Sequence, residues 1–306
     1  MGVSALGVGM RPLQQARPPD ERIARLAGRQ HGIVSRSQLL RLGLSESAVK
    51  RRIRAGRLIV VHPGVYAVGH GALSFEGRCM AAVAATAPDG VISHRTAAAL
   101  HGLLPPPARI EVSAPRGRRP TARLAVHETS SLDASSDLTR RRGIRVTAVP
   151  RTLLDVAEVA GRASTEKCVD GALVRDLLGP DAMLDVLARA HGRRGVPVLR
   201  SALGLAVTKS ELERMFLRFA RRLGLPRPET NVRVAGYEMD ALWRAAGVAV
   251  ELDSWSFHRG RAVFERDHDR DLALAPLGVR VLRVTYRQLK RQPALVEAAL
   301  RGTSLL

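Results

Sequence analysis

Between residues 237 and 257 apolar and polar positions alternate with the two-residue period of a strand, in two runs separated by a short break. In the first run Tyr237, Met239, Ala241 and Trp243 share one face, and Glu238, Asp240 and Leu242 the other. In the second, Val248, Val250 and Leu252 alternate with Ala249, Glu251 and Asp253. A loop of Arg244, Ala245, Ala246 and Gly247 would pair Trp243 with Val248. Counting back, Asp240 then faces Glu251 and Glu238 faces Asp253. Like charges directly opposed weaken a sheet unless something compensates them, and a divalent cation is the usual remedy. The plain alternative is a solvated acidic face.

The N-terminal pattern is helical. A helix from Glu21 is followed by a short break, then by Ser35 as the cap of a second helix that Gly43 ends, then by Ser45 or Ser47 as the cap of a third that Gly56 closes. Two β-branched runs meet about Pro63-Gly64. Three helices and a hairpin describe a winged helix-turn-helix. Its third helix carries Lys50, Arg51, Arg52 and Arg54, with Arg57 at the exit, over an apolar pair, Val49 and Ile53. Such a helix suits the major groove of double-stranded DNA. The same fold also serves as a protein-binding module.

Residues 71–205 are less informative. A helix over SHRTAAALHGLL has Ser93 as cap and the Pro105–Pro107 run as stop, two strands flank a basic turn, and a further strand leads into a helix with Pro150 in its first turn. Short helices follow. His94, Arg95 and His101 lie near one helix start, where histidines are more often packed than catalytic. The expected role is a connector or a partner-binding region.

From residue 206 the order is helix, three strands, helix, strand, helix. Ser210 and Glu213 have the spacing of a capping box, a sufficient structural reason for Glu213. Asp267 and Arg270 are spaced as a helical ion pair.

Composition adds a partner class. The chain has 306 residues and a net charge of +21, nearly all from arginine, since only Lys50, Lys167, Lys209 and Lys290 are lysines. Arginine's planar fork suits phosphate, although GC-rich coding also raises it. Cys79 and Cys168 are far apart without ligand-like neighbours, which argues against a zinc site or a disulfide framework. No apolar run approaches the roughly 18 residues of a membrane span. The first residues read as a disordered leader and not a signal peptide, so a cytoplasmic location is expected.

Two resemblances extend this reading. The stretch GIVSRSQLLRLGLSESAVKRRIRAGRLIVVHPGVYAVG resembles the N-terminal domain of AbiEi-type antitoxins, the DNA-binding partners in toxin–antitoxin pairs. That implies promoter binding and a toxin protein as partner. Asp240, the Glu251-Leu252-Asp253 triplet, His258, Asp267 with Arg270, and the strand GVRVLR at 278–283 resemble the PD-(D/E)XK nuclease superfamily, most closely its very-short-patch-repair-endonuclease-like members. This second resemblance implies Mg²⁺, or Mn²⁺ in its place, held by Asp240 and Glu251, with Asp253 as a further ligand or water-orienting base. His258 would act as general acid or base, and Arg266 and Arg270 would grip phosphate. Asp253 stands where many members carry lysine.

The expected architecture is therefore an α+β multidomain chain: a leader over 1–19, a winged helix-turn-helix over 20–70, an α/β region over 71–205, and a restriction-endonuclease-like αβββαβα domain over 206–306. The expected function is DNA binding with metal-dependent endonuclease activity. The alternative is a regulator or antitoxin whose nuclease fold is inactive.

Overall fold

A computed structural model of the chain describes residues 18–306 except 116, 118–119, 130–131, 206, 254–268, 304 and 306. Nearly all of the expected leader lies outside the described residues. The architecture is mixed α and β with three separate sheets, and the chain forms two compact units. The first comprises residues up to 92, 108–130 and 140–146, and the second comprises 93–107, 131–139 and 147–306. The stretch 71–205 therefore contributes to both.

The first unit begins with α1 (Pro19–Gly28), β1 (Ile33–Ser35), α2 (Arg36–Arg41), α3 (Glu46–Arg54), β2 (Leu58–His62) and β3 (Val65–Val68). Ser35 caps α2 through a capping box with Gln38, and Ser45 caps α3 by accepting from the Ala48 N–H. Strand β1 occupies what the sequence suggested was a break, and it joins the hairpin in a three-stranded sheet of order β1-β3-β2. Three residues are too few for periodicity to reveal. Ile23, Leu39, Val49 and Tyr66 converge in the core beneath the helices. The arrangement has the elements and order of a winged helix.

A helix that the sequence did not suggest, α4 (Phe75–Ala85), follows, capped by Ser74. Its alanine-rich face lacks the large apolar residues that mark a periodic stripe. Beyond it lies a five-stranded sheet of order β6-β5-β4-β8-β7, built from β4 (Val91–Ile92), β5 (Ile110–Ala114), β6 (Leu124–Glu128), β7 (Leu138–Arg141) and β8 (Ile144–Thr147).

The second unit holds α5 (His94–Leu100), α6 (Val149–Val159), α7 (Gly161–Val174), α8 (Pro180–Arg189) and α9 (Gly195–Leu203), packed about Leu153, Leu154, Met183 and Leu199. Helix α5 stops before the prolines expected to end it, because Gly102 takes a left-handed φ of +76° just after the His101 cap. His101 is buried, with Nε2 2.8 Å from the Thr147 carbonyl, a packing role.

The C-terminal part of this unit runs α10 (Lys209–Arg222), β9 (Glu229–Val234), β10 (Tyr237–Trp243), β11 (Val248–Asp253), a helix α11 described over 269–274, β12 (Arg280–Thr285), α12 (Tyr286–Arg291) and α13 (Pro293–Arg301). The last two were expected as one helix. Pro293 cannot donate a backbone hydrogen bond and starts a new one. The sheet order is β12-β11-β10-β9, with β11 and β12 parallel and the other pairs antiparallel.

Both faces of its central strands, β10 and β11, are buried. Ala241, Trp243, Val248, Val250 and Leu252 pack with Phe216 of α10, whose ring meets Trp243 edge-on at 6.2 Å. Leu242, Ala249 and Leu274 form a smaller cluster. Met239 belongs to that cluster and not, as the alternation suggested, with Ala241 and Trp243. Asn231 takes a φ of +53°, and the β9–β10 ladder skips Asp240 between Met239 and Ala241.

The hairpin turn has the expected length. Arg244–Ala246 form a 3₁₀ turn and Gly247 closes it at φ +63°, while a Cβ at that position would stand 2.4 Å from the Gly278 carbonyl oxygen. Gly247→Ala would meet both the left-handed penalty and this clash. We expect a loss of at least about 1–2 kcal/mol in urea unfolding, with the same direction in thermal melts.

Candidate nucleic-acid interface and acidic hairpin

On α3 the sequence places Val49 and Ile53 inward, which turns Ser47, Lys50, Arg51 and Arg54 outward at the i, i+3, i+4, i+7 spacing of one helical face. All four are exposed, and Lys50, Arg51 and Arg54 have no ion-pair partner among the described residues. Arg52 faces elsewhere. Its Nη2 and Nε lie 2.7 and 2.9 Å from Asp20 Oδ1 at the start of α1. Arg57 also reaches Asp20, at 3.2 Å. The hydrogen bond from Arg52 holds the Asp20 carboxyl below its usual range. Thus the basic set expected on this helix divides into three free cations and two that clamp α3 to α1. Asp20, at the edge of the expected leader, was the signal for that division.

The acidic hairpin keeps the expected register at its turn, where Trp243 pairs with Val248, Leu242 with Ala249 and Ala241 with Val250. The described ladder ends there. Asp240 is 7 % exposed, and its Oδ2 accepts the Leu252 N–H at 2.7 Å, so a side chain takes over where a backbone pair would follow. The expected opposition of Glu238 and Asp253 does not form in this ladder. Glu238 pairs with Arg233 of β9, and Asp253 with Thr285 of β12.

Glu238, Asp240 and Glu251 have basic company. Lys209, at the first turn of α10, lies 2.9 Å from Asp240 Oδ1 and 3.2 Å from Glu238 Oε1. Glu251 bonds Arg270 through Oε1, and its Oε2 is 3.4 Å from Arg283 Nε, its parallel-register neighbour on β12. Arg270, expected to grip phosphate, is 8 % exposed and turned to Glu251. Asp240, Glu251 and Asp253 do not form a group whose ligand atoms all lie within 4.8 Å of one another; among the described residues that property belongs to His94, Asp155 and Glu158. His258, Arg266 and Asp267 lie outside the described residues.

The α10 capping box also differs from expectation. Thr208 is the cap and Glu211 its partner, which moves the box two residues upstream and leaves half-buried Glu213 without that role. A threonine satisfies the N-terminal amides as serine would. Sequence reasoning passed over Lys209 and Arg283. Lys209 stood one residue before the assumed helix start, and Arg283 becomes a neighbour of Glu251 only once the parallel register is known.

Comparison with known proteins finds one family match, within the first unit. Residues 21–69 match the family model described as a transcriptional regulator, AbiEi antitoxin. The match spans α1 to β3, the elements that present Lys50, Arg51 and Arg54. Over more of its length the chain is similar to two uncharacterized proteins of Mycobacterium tuberculosis, one from strain CDC 1551 / Oshkosh and one from strain ATCC 25618 / H37Rv. Each is 28% identical over 266 residues, covering 81% of this chain and 92% of the relative. No described helix is long and apolar enough to cross a membrane.

The Lys209–Asp240 contact has a pH signature. The hydrogen bond that Lys209 donates to Asp240 raises the lysine pKa against a smaller opposing effect of burial. A raised pKa means that the contact stabilises fully below the unfolded lysine value of about 10.4 and is lost as pH rises through the folded value. The stability difference between wild type and Lys209→Met should therefore be constant from neutral pH to about 10 and shrink above it, read by urea unfolding along a pH series.

Proposed function

We propose that the chain is a DNA-binding transcriptional regulator of the antitoxin type that grips duplex DNA through α3. The observation that carries this reading is the exposed stripe of Ser47, Lys50, Arg51 and Arg54 on the second helix of a helix-turn-helix. Three unpaired cations on one face supply the phosphate attraction that dominates affinity, and a helix of this kind can bring side chains to base edges. Ser47 offers a hydroxyl that can donate or accept there. The match of residues 21–69 to the antitoxin regulator family supports the same reading and brings a toxin protein into it as partner. A cytoplasmic location accords with this role.

A second reading, a PD-(D/E)XK endonuclease acting on DNA, has two observations in its favour. The α10–β9–β10–β11–α11–β12 order follows the expected αβββαβα plan, and Lys209 sets an ammonium beside Asp240 where the plan's usual lysine position holds Asp253. The ion fares less well. Mg²⁺ takes near-octahedral oxygen ligands at 2.0–2.1 Å, whereas both Asp240 oxygens and both Glu251 oxygens are engaged by protein groups. The residues as placed do not fit it, and no hydrolytic step follows from this arrangement.

Two measurements separate the readings. In binding titrations on duplex DNA carrying the protein's own promoter, the triple variant Lys50→Ala, Arg51→Ala, Arg54→Ala should bind more weakly. Its slope of log K against log salt should flatten by about 1–3, since each lost phosphate contact is worth about 0.9. Arg52→Ala should change the slope less, because Asp20 already holds that guanidinium. An unchanged slope in the triple variant would sink the DNA-binding role of α3. In plasmid-nicking assays with Mg²⁺ or Mn²⁺, we expect no cleavage by wild type; cleavage by wild type that Glu251→Ala abolishes would establish the endonuclease instead.

A further inference from the structure

Inside the second unit, His94 at the start of α5 meets Asp155 and Glu158, which lie three residues apart on one face of α6. Each offers one ligand atom, and these atoms all lie within 4.8 Å of one another. His94 and Asp155 are buried, and Glu158 is half-buried. The imidazole is oriented by its neighbour, with Nδ1 2.8 Å from Ser93 Oγ. A contact of this kind on one ring nitrogen is what fixes a metal-binding histidine.

The carboxylates are tied to guanidinium groups. Arg193, in the loop before α9, bonds Glu158 twice, at 2.8 and 2.7 Å, and Asp155 Oδ1 at 2.9 Å. Arg151 bonds the same Oδ1 at 2.9 Å. Asp155 Oδ2 is fully buried and has no hydrogen-bond partner among the described residues. A sealed carboxylate oxygen without a partner is costly, and it is a ligand atom standing in a His-Asp-Glu cluster. The α9 start approaches this spot closely, since a Cβ on Gly195 would stand 2.7 Å from Glu158 Cγ.

We propose that His94, Asp155 and Glu158 bind one divalent first-row transition-metal ion of the Zn²⁺ or Mn²⁺ kind, and that Arg193 takes the cation's place in the metal-free chain. Imidazole with two carboxylates suits such ions better than Ca²⁺, which takes six to eight oxygens. Three protein ligands leave a further position for water. A tetrahedral ion with bonds of about 2.0–2.2 Å holds its ligands roughly 3.4 Å apart, so atoms already within 4.8 Å of one another need at most a small contraction. Glu158 is the mobile member, because it is only half-buried and is released when Arg193 leaves. Binding links α5 to α6 and frees the α8–α9 loop. This inference does not depend on the DNA-binding reading.

The test uses the full chain, dialysed against Zn²⁺ and separately Mn²⁺, with bound metal measured by elemental analysis and affinity by calorimetry. Wild type should bind one ion that His94→Asn and Glu158→Gln each weaken at least tenfold. Arg193→Met should bind more tightly than wild type, because the competing cation is gone; a salt-bridge network without a metal role would give no such gain. Circular dichroism checks folding, and should His94→Asn unfold, Glu158→Gln and Arg193→Met decide. Absence of stoichiometric metal in both wild type and Arg193→Met, or equal affinity in wild type and Glu158→Gln, overturns the site.

Discussion

Asp137 and Asp155 are both sealed from solvent, and Arg151 lies between them, 2.9 Å from a carboxylate oxygen of each. Arg189 reaches the far side of Asp137 at 2.8 Å, and Arg193 the near side of Asp155 at 2.9 Å. Taking such charges out of water is affordable only when they are paired and hydrogen-bonded, and removing one partner from a buried pair typically costs about 3–5 kcal/mol. The helical part of the second unit is organised about this alternation. Strand-side Asp137 is thereby tied to α6 and α8, and α6 to the α8–α9 loop. Burial pushes the Asp137 carboxyl up, but its bonds from Arg189 and the Asp133 N–H, with the charge of Arg151, outweigh that and hold it below the ordinary range.

The same accounting tells which arginines are available to a partner. In a chain of net charge +21, basic side chains that face carboxylates are structural: Arg52 and Arg57 on Asp20, Arg270 and Arg283 on Glu251, Arg287 and Arg291 on Asp170. Lys50, Arg51 and Arg54 face none among the described residues, and they share one exposed helical face in the segment that matches the antitoxin regulator model. Charge alone pointed to nucleic acid; the shared helical face of these three residues, in the segment that the regulator model matches, marks a surface. At the acidic hairpin the same logic works in the other direction. Carboxylates that looked like an ion's ligands are neutralised by Lys209, Arg270 and Arg283.

Much of the fold was legible where local chemistry dictates it. Ser35 and Ser45 cap as serines at helix starts do, Pro63-Gly64 turns the wing, and the Trp243–Val248 register follows from loop length. What was not legible depends on distant partners. The three residues of β1 gain strand character only from β3, and Met239 changes cluster where the β9–β10 ladder skips Asp240, opposite a left-handed Asn231 on another strand. Site residues followed the same rule. The exposed stripe on α3 was visible in its spacing, whereas the Asp20 clamp, the Lys209 contact with Asp240 and the meeting of His94 with Asp155 and Glu158 join residues from separate elements. No sequence period records such meetings.

The central claim is that α3 is the surface that touches DNA. Amide hydrogen exchange measured by mass spectrometry, on the full chain with and without promoter duplex, tests it most directly. New protection should concentrate over residues 45–57, with the β10–β11 hairpin and β12 unchanged. Protection confined to the hairpin and β12, with none over α3, would contradict it.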